Sequence, residues 1–435
     1  MTPEAGLRTQ PSPAVQARLD ALNARLEAVS WFNIGFPAAG DLDFRPLTGY
    51  FGELLNNLGD PFIDGAYPRH TKDMEREVVE LVADLLRAPA DDRWGYVAGG
   101  ASEGIAYALR LARTRYPDGI VYHSAAAHHS VANAVHLLGM RSVVVRADAH
   151  GELDYADLAT VVGQRRDRPA VVVANIGSPA DEAVDDVRRI TAELDGLAVR
   201  RRWIHADAAL SGIPLALLDP EGRPGFDFAD GADSVDVSGH KFLGTPLPCA
   251  VVVVRASQHR AHARNATYTG SPDTTVTNSR PGHAALLLWW AMMRYGMDTH
   301  RARAAAARDL AEYAHQRLIE TGWPAHRHPH AFTVALRTPP KAVTDTWTLA
   351  HHGDRSHLIC MPGVRQAQID AFVADLQAAT SPAAGRHAVG RTAAGRTTGD
   401  DFAVADDTDT GAADISGTTP PGLIRRAFAP IAKTG

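Results

Sequence analysis

Lysine and cysteine are both scarce in this chain, and there is no excess of positive charge. Two cysteines occur, Cys249 and Cys360, and Cys249 adjoins the apolar run 250–254, where a buried structural thiol is expected. A reducing, cytoplasmic setting fits that usage. With 44 basic against 50 acidic residues the formal charge is -6, so the basic surplus that nucleic-acid phosphates demand is missing. No apolar run approaches the ~20 residues of a membrane helix. The N-terminus, with Glu4, prolines and Asp20, lacks the basic start and apolar core of a secretion signal. The expectation is a protein without a membrane span and without a nucleic-acid partner.

What is present suits a globular protein: 435 residues, 45% hydrophobic and 22% charged, are enough for one large domain and a smaller one. Val15, Leu19, Leu22, Leu26 and Val29 recur at helical spacing, so residues 1–50 read as a helical N-terminal segment that packs against something else. From Phe51 helical stretches (Met74 to Arg87, Glu103 to Arg115) alternate with short β-branched runs. Those runs are Ile120 to Tyr122, Ser142 to Val145, Ala170 to Asn175, Trp203 to Asp207, Ser234 to Val237 and Ala250 to Val254. The alternation predicts an α/β fold, a mostly parallel sheet covered on both faces, over residues 51–300. Ligands of such sheets lie at the carboxyl ends of the strands. A long Ala-rich helix from about His283 to Thr321 leads into a small C-terminal α/β domain, 301–379, with strands near Ala331 to Arg337 and His357 to Met361. Residues 380–435, poor in large apolar side chains, read as a disordered tail.

Four short stretches carry chemistry. Ser238-Gly239-His240-Lys241-Phe242-Leu243-Gly244 follows a strand and places one of only four lysines in a turn of small residues. A lysine that forms a Schiff base with an aldehyde cofactor must be partly neutral, which desolvation beside another cation favours. A solvated surface lysine is the plainer alternative. His205-Ala206-Asp207-Ala208-Ala209 puts an acid at a strand's end, either as a helix N-cap or as the partner of a protonated pyridine nitrogen. Gly99-Gly100-Ala101-Ser102-Glu103-Gly104, at a helix start, is either an anion site for a cofactor phosphate or a tight turn. In Ala127-His128-His129-Ser130 a histidine could stack on a cofactor ring. Metal is the other reading of adjacent histidines, but no partner ligands lie at suitable spacing, so none is expected.

Taken together, the chain resembles the group II pyridoxal-phosphate decarboxylases, in the branch holding bacterial histidine decarboxylase and plant serine decarboxylase. The resemblance runs from Phe32 to Met297. It rests on the strings above with Phe32-Asn33-Ile34-Gly35-Phe36-Pro37, Asn56-Asn57-Leu58-Gly59-Asp60-Pro61-Phe62, Trp94-Gly95-Tyr96-Val97, Ala174-Asn175-Ile176-Gly177, Ala183-Val184-Asp185-Asp186 and Ser279-Arg280-Pro281-Gly282-His283. It implies PLP fold type I, the aspartate aminotransferase-like architecture, and a homodimer with shared active sites. Pyridoxal 5'-phosphate would be bound covalently by Lys241, with Asp207 at the pyridine nitrogen, His128 stacked on the ring and Ala209 on its other face. Ala101 and Ser102 would hold the phosphate with Ser238 and His240, and Ser178 would lie near the ring hydroxyl. Tyr268 would return a proton to the α-carbon, and Ser279 would meet the substrate across the dimer interface. The implied reaction is α-decarboxylation of an L-amino acid to an amine, with histidine as first substrate and serine or another small amino acid as alternative. An aldehyde-forming oxidative decarboxylase and a non-catalytic paralogue are weaker alternatives, because Tyr268, His128, Lys241 and Asp207 are all kept. Ile105, His129, Pro179 and Pro281 depart from the family pattern, which predicts differences concentrated around the pocket.

Overall fold

The computed structural model describes residues 11–259 and 268–381. The expected tail from 382 on, and Asn265, Ala266 and Thr267 beside Tyr268, lie outside the described residues. The strands begin with β1 (Asn56–Leu58), β2 (Trp94–Ala98), β3 (Ile120–Ser124), β4 (Arg141–Val145), β5 (Ala170–Asn175) and β6 (Arg202–Asp207). They continue with β7 (Ser234–Ser238), β8 (Ala250–Val254), β9 (Ser279–Pro281), β10 (Ala325–His326), β11 (Thr333–Arg337), β12 (Ala350–His352) and β13 (Arg355–Ile359). The six β-branched runs become β3 to β8. The helices include α1 (Pro13–Ser30), α2 (Lys72–Leu85), α3 (Ala101–Arg115) and α4 (His129–Leu137), of which α3 and α4 reach the site.

Seven strands form one sheet in the order β2-β8-β7-β6-β5-β3-β4. The run from β4 through β7 is parallel, and β8 is antiparallel to both its neighbours. Every residue of β5 is buried, with Val172 and Ala174 in one core and Val171 and Val173 in the other. A valine fully withdrawn from water contributes ~1.5–3 kcal/mol, which is why such strands read as continuous apolar runs. The twofold alternation puts Trp203, His205 and Asp207 on one face of β6, and Ser234, Asp236 and Ser238 on the same face of β7. Ser234 Oγ ties the two rows together, accepting from Trp203 Nε1 at 3.0 Å and lying 2.9 Å from His205 Nδ1. Helix α3 covers that face so closely that a Cβ on Gly104 would stand 2.8 Å from Asp236 Cβ.

The four-stranded antiparallel sheet β10-β11-β13-β12 builds the smaller C-terminal layer. Its core gathers Trp347, Leu358 and Phe372 with Ile34 of the N-terminal segment. Glu182 joins this layer to the larger one. Its buried carboxylate accepts from Ser211 Oγ at 2.9 Å, Phe332 N at 2.9 Å, Thr333 N at 2.8 Å and Thr333 Oγ1 at 2.6 Å. A second buried anchor is the Arg280–Glu75 ion pair, which fixes the β1–β9 ribbon against β2. Glu75 also accepts from Asn57 Nδ2 at 2.7 Å and Val97 N at 2.8 Å.

The single helix expected from His283 to Thr321 is instead broken. Gly282–Trp289 passes through one wider turn, Trp290–Arg294, into Tyr295–Glu320, and Gly296 there has φ 73° and ψ 161°. Only glycine adopts that backbone without strain, and it interrupts the hydrogen-bond ladder. Helix α1 forms as its spacing predicts, with Pro13 at its first position, but no residue of it is buried. Its apolar stripe, Val15 to Val29, faces solvent in the single chain.

Candidate active site

The lysine turn is held before it is occupied. Gly239 N donates to Cys249 O at 2.8 Å and Thr245 N to Gly239 O at 3.2 Å, and Lys241 O accepts from Ala39 N at 3.1 Å. At Gly239 a Cβ would come within 2.6 Å of both Cys249 Sγ and Leu288 Cδ2, so the turn admits no side chain there. Cys249 is buried and free, as its surroundings predict. The backbone therefore fixes where the Lys241 stem starts, and the side chain reaches the wall of a cavity of about 1190 Å³. Burial lowers the Lys241 pKa, against the opposing pull of Asp207, Asp236 and Glu182. Lys72 offers a contrast: its Nζ is engaged by the carbonyls of Ile63 at 2.5 Å and Asp64 at 3.2 Å, away from that cavity.

Asp207 closes β6 at the same cavity, its Oδ1 accepting from Ala209 N at 3.3 Å. His128 is the N-cap of α4. Its Nδ1 accepts from Ser130 N at 3.2 Å and lies 2.7 Å from Ser130 Oγ, so the ring proton belongs on Nε2. Burial, then the neighbouring His129 and Lys241, push its pKa down to about 4, so the ring is neutral at pH 7. The first turn of α3 opens into the cavity at Ala101 and Ser102, where free backbone N–H groups favour an anion. Glu103 stabilises the Gly99–Gly100 entry, accepting from Gly99 N at 2.9 Å with one oxygen and from Tyr96 OH at 2.9 Å with the other.

Eight of the residues singled out in the sequence thus meet at one cavity: Ala101, Ser102, His128, Asp207, Ala209, Ser238, His240 and Lys241. Three stand apart. Ser178 sits buried behind the wall, its Oγ taken by Ala183 N at 3.0 Å. Tyr268 is 85% exposed. Ser279 pairs with Leu58 in the β1–β9 ribbon, with Asn56 Nδ2 3.4 Å from its hydroxyl. Of the departures from the family pattern, Ile105, His129 and Pro179 do line the cavity, while Pro281 lies in the ribbon. Asn175, Phe36, His351 and His357, to which no role was assigned from sequence, also line it. The last two come from β12 and β13, some 110 residues or more beyond Lys241, and no local pattern announces that a distant hairpin closes a pocket.

The polar inventory fits a phosphorylated pyridine aldehyde. Ser238 Oγ and Asn175 Nδ2 are both buried at the cavity without a hydrogen-bond partner among the described residues, and native proteins rarely leave such groups unmet. With the α3 N-terminus for an anion, a carboxylate at a strand end and an amine of lowered pKa, the site has a complement for each end of that molecule.

Comparison with known proteins agrees with this geometry. Residues 52–323 match the pyridoxal-dependent decarboxylase conserved domain. The chain is 40% identical over 361 residues to histidine decarboxylase of Mesorhizobium japonicum, covering 83% of this chain and 97% of that one. It is 36% identical over 366 residues to histidine decarboxylase of Morganella morganii, covering 83% and 96%. Among solved structures, L-methionine decarboxylase from Streptomyces sp. 590 superposes with a TM-score of 0.78 at 26% identity, covering 86% of this chain and 96% of that one. Glutamate decarboxylase of Lactobacillus brevis shares the fold, with a TM-score of 0.71 at 19% identity over 86% of this chain and 93% of that one. The chain belongs to the pyridoxal-dependent decarboxylase family: it is a fold-type-I, pyridoxal-phosphate-dependent lyase that decarboxylates an amino acid.

Proposed function

We propose that the substrate is L-histidine and the product histamine, made in the cytoplasm. The observation that carries this is the 40% identity to a histidine decarboxylase across 97% of that relative's length. The cavity supports it. Its lining includes Phe36, Ile359 and three imidazoles from the small sheet, His351, His352 and His357. His357, buried at this wall, offers an imidazole for a hydrogen bond with the substrate ring.

Bound pyridoxal phosphate supplies the electron sink for the bond pair left when carbon dioxide departs. Lys241, its pKa lowered by burial, would hold the cofactor covalently. Asp207 would pair with the ring nitrogen and hold its proton. The α3 N-terminus, through Ala101 and Ser102, binds the phosphate with Ser238 and His240. Neutral His128 would cover one ring face without adding a positive charge that competes with the ring's own, and Ala209 would leave room on the other. Ser178 would back the wall near the ring hydroxyl. Tyr268 would deliver a proton to the α-carbon.

Ser279 and Tyr268 lie outside this chain's cavity, and we assign them to the site of a second copy in a homodimer. The solvent-facing stripe on α1, with exposed Phe51, Leu54 and Ile63, is the apolar surface such a dimer covers. The test is direct: purified holoenzyme is offered each protein amino acid and the amine is measured. Histidine should exceed serine and methionine in kcat/KM by at least about tenfold, ~1.4 kcal/mol of discrimination. A preference for any other amino acid overturns the substrate assignment and leaves the reaction class intact.

A further inference from the structure

Asp236 is a second acid beside the first. It is completely buried and paired in register with Asp207 on the adjacent parallel strand, where neighbouring backbones lie ~5 Å apart. Both side chains occupy the face covered by α3. Among the described residues, neither Asp236 oxygen has a hydrogen-bond donor. His205 Nε2 lies 3.0 Å from Oδ1, but off the line of a hydrogen bond, since it too remains without a partner. On its other side His205 Nδ1 lies 2.9 Å from Ser234 Oγ, which accepts from Trp203 Nε1. The titratable groups facing Asp236 are thus His205 and Asp207 from β6 and Lys241 beyond the end of β7. Strand β8 offers only Val252, and α3 only Gly104.

Two adjacent buried carboxyls cannot both ionise cheaply. We propose that Asp207 and Asp236 form a carboxyl pair holding a single proton, kept on Asp236, so that Asp207 alone presents negative charge to the cofactor ring. Burial and the charge of Asp207 raise the Asp236 pKa, with Lys241 opposing. Asp236 is then a positioning residue that acts through Asp207. It also leaves Lys241 facing the charges of Asp207 and Glu182 without that of Asp236, which keeps the amine easier to deprotonate. The inference rests on the assignment of Asp207 to the ring nitrogen.

The test is infrared spectroscopy of holoenzyme labelled with carbon-13 at the aspartate carboxyl. At about pH 9 an ordinary carboxyl is fully ionised, so a surviving carbonyl stretch marks a strongly raised pKa. The band should be present in the parent and absent in Asp236→Asn, or in Asp236→Ser if the first variant does not fold. Absence from the parent, or survival in the variant, overturns the proposal. Replacing one neutral group by another, Asp236→Asn should move the pH titration of the cofactor's visible absorption by less than ~0.3 units, a twofold change; a shift of a unit or more means that Asp236 was ionised. In Asp207→Asn the Asp236 band should titrate at least ~1 unit lower, a tenfold change, and an unmoved band refutes the coupling. If Asp207→Asn binds cofactor as tightly as the parent, the ring assignment fails, while the band still reports on the pair.

Discussion

Replacing Glu182 isolates what one buried carboxylate does for the joint between the two sheets. It has φ 54°, and its two oxygens take four hydrogen bonds, two of them from the backbone N–H groups of Phe332 and Thr333. Burial raises its pKa, so the charge is held at a cost that those donors offset. In Glu182→Ala the hydroxyls of Ser211 and Thr333 can turn elsewhere, but the two backbone donors cannot. Each unmet buried donor costs ~1–3 kcal/mol, and with the void left by the side chain the total is about 4 kcal/mol. Glu182→Gln keeps one oxygen for Phe332 and Thr333, offers its amide to Ser211 Oγ, and removes the buried charge; its cost should stay under about 1.5 kcal/mol. Urea unfolding followed by circular dichroism at fixed cofactor concentration measures both. The alanine variant should also raise KM for the amino acid more than it weakens cofactor binding, because β12 and β13 hang from this joint. An alanine variant within about 1 kcal/mol of the parent, or a glutamine variant as damaged as alanine, refutes the reasoning.

Other outcomes follow from the same structure. Arg280→Ala strands Glu75 as an unpaired buried charge and should cost ~3–5 kcal/mol, read from the same unfolding curves, whereas Arg280→Ala with Glu75→Gln should recover a good part of it. Lys241→Ala and Tyr268→Phe, each nearly inactive, should regain about a quarter of parental activity when mixed and reassociated, since one site in each mixed dimer carries neither lesion; no recovery places Tyr268 in its own chain's site. His205 is buried as a neutral imidazole, its pKa pushed by burial from 6.5 to about 4. The unfolded chain therefore takes up a proton between those values that the folded one refuses. The stability His205 contributes is complete above about pH 6.5 and lost as pH falls to about 4, up to ~3 kcal/mol. His205→Asn should flatten the acid limb of a plot of melting temperature against pH, and an unchanged limb argues against a neutral His205.

Much of this site was legible because its parts are local. Valine-rich runs reveal buried parallel strands, and a lysine flanked by Gly239 and Gly244 reveals a turn that the fold holds rigid. Asp207 and the α3 start follow from their places at strand and helix ends. What escaped was set by contacts between distant segments. Asp236 reads as the polar interruption of a strand, and only its register beside Asp207 gives it meaning. His351 and His357 belong to a hairpin whose sequence says nothing of the cavity it closes. Gly296 sits in an Ala-rich stretch where helix propensity is high, and one glycine there does not announce a break. The α1 stripe was visible at once, but a stripe names no partner.

The strap of Gly35, Phe36 and Pro37 has a consequence for how this enzyme can change. Its neighbours are bonded both to the lysine turn, through Ala39 N and Lys241 O, and to the small sheet, through Ile359 N and Ile34 O. A Cβ at Gly35 would press within 2.4 Å of the Leu349 backbone, so the strap lies flush on the segment that leads into β12. The cavity thereby has two inheritances. Its floor, from the large sheet, presents Lys241, Asp207 and His128; its roof, from strap and hairpin, presents Phe36, His351 and His357. Drift in the roof alters which side chain the enclosure admits while the floor goes on breaking the same bond, so a lineage built on this plan can exchange one amine product for another by editing a hairpin.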